Sequence, residues 1–222
     1  MNDSNPPGDA PGTQLFPQFK NQIYDMIAEE IEGLTDEQLD FDSDRWGWSA
    51  WSIRRNVSHM ASGDFRWLLQ RWGKRLFTDG VPHVADLDGI LSAEFDRRLD
   101  ENVYWHIDDI LAVLRRALDL SWSVLSQETV ASMQAKTLRV NIGGLPWAEV
   151  HPGGARGGVN VDSADATQAD VTLEATFRHR YFEYMTHLYN IQRLKRAQGL
   201  TARVEVPFEG YWAAKDWDRS EA

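Results

Sequence analysis

The sequence predicts an all-α protein, a four-helix bundle with a long irregular crossover before the last helix. Four segments repeat apolar residues at helical spacing, with charged residues between them. Glycine and proline crowd into one stretch between the third and fourth of these segments. Hydrophobic residues make up 42% of the 222 residues and charged residues 26%, enough for one packed core with decorated ends.

Residues 1–13, rich in Pro, Gly, Asn and Asp, read as a flexible lead-in. The first helix follows from Phe16, Phe19, Ile23, Met26, Ile27 and Ile31, and Gly33 ends it. Thr35 with Gln38 has the pattern of a capped helical turn, and an acidic loop runs on to Trp46. The second helix spans about Ser49 to Trp72, with Ile53, Val57, Met60, Trp67 and Leu68 on its apolar face. After a loop with Gly80 and Pro82, residues 84–104 have room for a short helix. The third helix runs from Ile107 to Leu125 on a stripe of Ile110, Leu111, Leu114 and Leu118. The segment 139–170 breaks the pattern, with Val140, Ile142, Val159 and Val161 as candidates for a short β-hairpin. A loop of this length is usually functional or disordered. The last helix covers Thr172 to Ala197 and stops at Gly199. The bundle is thus expected over 14–199, with 200–222 as an extended tail packed against it.

Acidic residues number 34 against 23 basic ones, a net charge of −11 that repels nucleic-acid phosphates. With no cysteine, thiolate ligands, disulfides and a cysteine nucleophile are excluded, so a metal must be held by His, Asp or Glu. No apolar run reaches the ~20 residues of a membrane span, and the first residues lack the pattern of a signal peptide. The default expectation is a cytoplasmic protein that engages neither membrane nor nucleic acid.

The last helix carries the chemistry. On a helical projection Leu173, Thr176, Arg180, Glu183, His187, Ile191 and Leu194 lie within about 40° of one direction. The stripe is apolar at its ends and ionisable in its middle, and such groups are costly to bury without partners or a metal. Glu183 and His187, four apart, point the same way and can grip one ion. A plain Arg180–Glu183 surface ion pair is the competing reading. His59 shares a face of the second helix with Ser52, Arg55, Ser62, Gly63 and Arg66, away from the apolar stripe. Periodicity alone puts it on the surface or at the border of a polar pocket, and favours the surface.

The runs Trp51-Ser-Ile-Arg-Arg-Asn-Val-Ser-His59 and Leu34-Thr-Asp-Glu-Gln-Leu39 resemble the second helix of the DinB-like superfamily and the segment before it. The stretch Thr172 to His187, continuing through Asn190 to Gly199, resembles that superfamily's last helix. The resemblance covers about residues 14–199. It implies a divalent metal (zinc, nickel, iron or manganese) held by His59, Glu183 and His187, with a carboxylate where a histidine is usual. It also implies a small-molecule substrate, hydrolase or thiol-dependent S-transferase chemistry, a low-molecular-weight thiol as cosubstrate, and a homodimer. His179, Arg180, Tyr184, Arg55 and Arg66 are the candidates for substrate contact or for support of the ligands. The competing class is a non-catalytic bundle that binds a ligand or a protein partner.

Overall fold

The computed structural model describes residues 6–92, 94–143 and 158–222. Residues 8–12, within the stretch expected to be a flexible lead-in, are hydrogen-bonded to the segment 128–131. Gly12 N donates to the Glu128 carbonyl (2.8 Å), and Val130 N and Ala131 N donate back to Ala10 and Gly8. A first turn, α1 (Gly12–Leu15), then breaks at Phe16. Pro17 forces that break, because the residue before a proline is pushed out of the helical region. The first predicted helix is therefore two pieces, a 3₁₀ turn at Pro17–Phe19 and α2 (Gln22–Ile31), with α1 ahead of them.

The capped turn is α3 (Asp36–Leu39), where Thr35 and Gln38 form the reciprocal capping box. Arg54, itself buried, ties α3 to the next helix through Asp36 (2.6 Å) and Asp40 (2.5 Å). Ser52 caps α4 (Ile53–Phe65), which runs on into a π-helical turn at Arg66–Arg71. Two short turns follow, α5 (Gly73–Leu76) and α6 (Leu87–Ile90). The long α7 (Ile107–Gln127) and the short α8 (Val130–Ala135) complete this half. Thr172 caps the last helix, α9 (Leu173–Ala197). Helices α2, α4, α7 and α9 pack on one another as a bundle. Its core includes Phe19, Ile27, Val57, Met60, Leu114, Leu118, Tyr184 and Leu188.

The chain is mainly helical but not all-α, which corrects the prediction. Strands β1 (Thr137–Asn141), β2 (Val159–Val161) and β3 (Gln168–Thr172) form an antiparallel sheet in the order β1-β3-β2. Val140 pairs with Ala169, and Val161 faces Ala169 from the other side. The expected hairpin between the Val140 and Val159 segments does not form, because β3 lies between them. Its sequence offers only Ala169 and Val171 as an apolar alternation, too short to read as a strand, yet both are fully buried in the centre of the sheet. Residues 144–157 of the predicted irregular segment lie outside the described residues.

The C-terminal residues are fastened to the bundle by one buried carboxylate. Glu30 accepts from Lys195 Nζ (2.5 Å), Gln192 Nε2 (3.0 Å) and the backbone N–H groups of Arg203 and Val204 (both 3.0 Å). Burial pushes the Glu30 carboxyl up, but the hydrogen bonds from Lys195, Gln192, Val204 and Arg203 prevail and hold it below its ordinary value. Glu30→Ala leaves Lys195 buried without its counter-charge, a loss expected to cost about 3–5 kcal/mol in urea unfolding. Because the folded-state value is depressed, the stabilisation is complete above the ordinary value of 4.5. It fades as pH falls through the folded-state value. An unchanged midpoint in the variant at neutral pH would refute this role.

Candidate metal centre

Helices α4 and α9 meet through polar faces. Every residue of α4 except Arg55 is buried. His59, which periodicity placed at the surface, is only 6% exposed. The polar face of α4 is closed off by the polar stripe of α9 and by the loop before Leu99. In that loop Asp96 and Arg97 both adopt positive φ (48° and 64°). The Arg97 carbonyl accepts from Ser62 Oγ (2.6 Å), and Leu99 N donates to Ser58 Oγ (3.0 Å).

The structure brings His59, Glu183 and His187 together. Glu183 Oε2 is 3.5 Å from His59 Nε2 and 3.7 Å from His187 Nε2. One donor atom from each residue lies within 4.8 Å of the other two. What sits on the far side of each ring decides what these atoms offer. His59 Nδ1 meets the Arg97 carbonyl at 3.2 Å. A carbonyl only accepts, so Nδ1 carries the proton. Asn56 Nδ2 donates to the carbonyls of Trp51 (3.1 Å) and Ser52 (2.9 Å). That fixes Asn56 Oδ1 toward His187 Nδ1, at 2.7 Å, so this Nδ1 is a donor as well. Both Nε2 lone pairs then face the Glu183 carboxylate, and a cation placed between them satisfies all three converging acceptors.

A proton on His59 is disfavoured. Burial pushes His59 down to about 4. A divalent ion matches the donor set of two neutral imidazoles and one carboxylate. Trp51 covers both rings, with centroids 5.1 Å from His59 and 5.9 Å from His187, and stacks on the latter at 11°.

Behind the cluster lies a buried polar knot. Asp64, fully buried, accepts from Arg180 Nε (2.6 Å), Ser121 Oγ (2.6 Å) and the Tyr184 hydroxyl (3.0 Å). Burial opposes the Arg180 charge, but Asp64 prevails and raises its pKa. The competing reading of Arg180 as a surface partner of Glu183 is therefore corrected: its ion pair is with Asp64. Tyr184, expected as a donor near the cluster, directs its hydroxyl to Asp64 and lines neither adjoining cavity. Burial first, and then the charge of Asp64, raise its pKa well above the ordinary value.

Two cavities adjoin the cluster. One, of about 340 Å³, is lined by His59 and Glu183 together with Arg66, His179 and Arg180, three of the residues predicted to contact substrate. His179 Nδ1 is hydrogen-bonded to the Tyr211 hydroxyl (2.5 Å), a contact that the tail supplies. The other, of about 490 Å³, opens beside His187 and is walled by Trp48, Trp51 and Trp217. Arg55, also expected to contact substrate, lines neither cavity and pairs with Glu101 (3.1 Å) and Asp42 (3.4 Å). As the one α4 residue left unburied, it turns outward to these carboxylates.

Sequence reasoning assigned no place in the candidate site to Asp64, Asn56, Trp51, Arg71 or Arg97, all of which the structure sets in or against it. A signal existed for Asp64, an acid in line with Val57, Ala61 and Leu68 on the apolar face of α4. Nothing local marks the Arg97 carbonyl, whose position depends on the turn of a loop.

No family model and no curated protein matches this chain. Among solved structures, the chain is similar to YfiT from Bacillus subtilis, described as "a probable metal-dependent hydrolase with an unusual four-helix bundle topology". The match has a TM-score of 0.52 and 16% identity, and covers 90% of this chain and 94% of that one. At this identity the likeness establishes the fold. The four-helix bundle is thus shared with a solved protein, while the His59, Glu183 and His187 cluster is a property of this chain's own residues.

Removing Asp64 and removing Arg55 are expected to differ sharply. Asp64→Ala strands the buried Arg180 and is expected to cost about 3–5 kcal/mol in urea unfolding. Arg55→Ala breaks partly exposed pairs and is expected to cost under about 1 kcal/mol. Equal costs would contradict the burial pattern described above.

Proposed function

We propose that this chain is a metal-dependent enzyme of the DinB-like superfamily that hydrolyses a small molecule, with His59, Glu183 and His187 holding one divalent ion. The observation that carries the proposal is the orientation of the two imidazoles, each held through Nδ1 so that its Nε2 lone pair meets the Glu183 carboxylate. Bound there, a divalent ion supplies Lewis acidity, polarising a substrate carbonyl or phosphoryl oxygen and lowering the pKa of water.

The chain's own residues do the rest. The Arg97 carbonyl and Asn56 Oδ1 hold the rings in one tautomer and one orientation. Trp51 shields one side of both rings from water. Asp64 and Arg180 brace α4 against α9 just behind the ligands, so the spacing between His59 and Glu183 is set by a buried ion pair. The two cavities give a small molecule access to the cluster from the Glu183 side and the His187 side. The description of YfiT favours water over a thiol as the nucleophile. The thiol cosubstrate, S-transferase chemistry and homodimer implied by the resemblance have no comparable support and form no part of the proposal.

Elemental analysis of the untagged chain is expected to find about one ion per chain, lost in His59→Ala and Glu183→Ala while both remain folded. Hydrolysis of model esters, amides or phosphate esters is expected to stop on chelation and return with metal. Asn56→Ala, which frees the His187 ring, is expected to weaken zinc about 10–100-fold in chelator competition. Wild-type chain that holds no metal under zinc, nickel, iron or manganese supplementation would overturn the proposal in favour of a non-catalytic binding bundle.

A further inference from the structure

The cavity on the Glu183 side carries a concentration of positive charge that the acidic chain as a whole does not predict. Its lining includes Arg66, Arg71, Arg97 and Arg180, with Glu183 as the one carboxylate among the described lining residues. Two of these arginines are brought together by the π-helical turn Arg66–Arg71. In a regular α-helix, residues five apart lie about 140° apart around the axis. Here the wider turn, closed by a hydrogen bond from Trp72 N to the Trp67 carbonyl (2.9 Å), places Arg66 and Arg71 in one cavity wall.

These cations are poorly neutralised. Among the described residues Arg66 donates only to neutral oxygens, Ser62 Oγ (3.2 Å) and the carbonyls of Ser92 (2.7 Å) and Arg98 (3.3 Å). Arg71 lies over the Trp67 ring at 4.0 Å. Neither has a carboxylate partner among the described residues. Arg97 has Asp96 at 3.5 Å, with both side chains largely exposed. Arg180 gives Nε to Asp64, but its Nη2 is buried and has no hydrogen-bond partner among the described residues. That guanidinium fits because Gly63 has no side chain: a Cβ there would stand 2.1 Å from Nη2. Burial first, and then the charges of neighbouring arginines, lower the pKa of both Arg66 and Arg71. An anion would relieve that repulsion.

We propose that this cavity binds an anionic group of the substrate, a carboxylate or a phosphate ester, with Arg180, Arg66 and Arg71 as its donors. Planar guanidinium groups suit either oxyanion. The inference rests on the reading of the adjoining cluster as a catalytic centre only in calling the ligand a substrate. The anion site itself requires no metal.

Isothermal titration at low ionic strength tests it, using metal-free chain and three probes: succinate, its neutral analogue succinamide, and inorganic phosphate. Saturable binding of succinate or phosphate, with none of succinamide, is expected. Tighter succinate assigns a carboxylate, and tighter phosphate a phosphate ester. The double variant Arg66→Gln/Arg71→Gln, which spares the buried Asp64–Arg180 pair, is expected to weaken binding at least about tenfold, or about 1.4 kcal/mol. Glu183→Gln, which removes a proposed metal ligand, is expected to keep or improve it. No saturable binding of either anion, or binding unchanged in the double variant, overturns the inference. Anion binding by a chain that never takes up metal refutes the metal reading alone, and metal uptake without anion binding refutes this inference alone.

Discussion

The bundle is organised around a polar seam between α4 and α9 that has to be satisfied away from bulk water. Burying ionisable groups is unfavourable unless each finds a partner, and the seam meets this demand in two ways. Asp64 answers Arg180, Ser121 and Tyr184 within the protein. His59, Glu183 and His187 do not answer one another, because both imidazoles present lone pairs to a carboxylate. The first arrangement holds the two helices at a fixed separation. The second leaves a demand for positive charge beside two cavities.

The rest of the structure serves that seam. The left-handed turn at Asp96 and Arg97 delivers a carbonyl to His59, and the start of α4 delivers Asn56 to His187. The tail is pinned by Glu30 near Val204 and returns to place Tyr211 against His179. The π-helical turn widens the end of α4 where a regular helix would carry one of its arginines away. The His59, Glu183 and His187 cluster and the cationic cavity lie side by side between α4 and α9, and the proposed site for a small anionic substrate rests on that juxtaposition.

Much of this was legible in the sequence, for reasons that can be traced residue by residue. The stripe from Leu173 to Leu194 placed Arg180, Glu183 and His187 on the buried side of the last helix, because helical periodicity is a local property. His59 was harder, since a polar helix face is normally solvated and its burial depends on a second polar face meeting it. Resemblance to the DinB-like superfamily supplied that pairing, and the geometry now gives it a physical basis. The sheet escaped because β3 is a five-residue strand stabilised by neighbours on both sides rather than by its own composition. The break at Pro17 was written in the sequence, but the periodicity of Phe16 and Phe19 on either side masked it.

The central claim is that the Nε2 atoms of His59 and His187 face Glu183 ready to hold one ion. Long-range nitrogen–proton NMR during a zinc titration reads this directly, since it reports the state of each of the six histidines. The account predicts that at one equivalent of zinc the Nε2 resonances of His59 and His187, and of no other histidine, move to metal-bound positions while their Nδ1 atoms stay protonated. Zinc that engages Nδ1 of either ring, or that shifts His179 in place of His59, would contradict it.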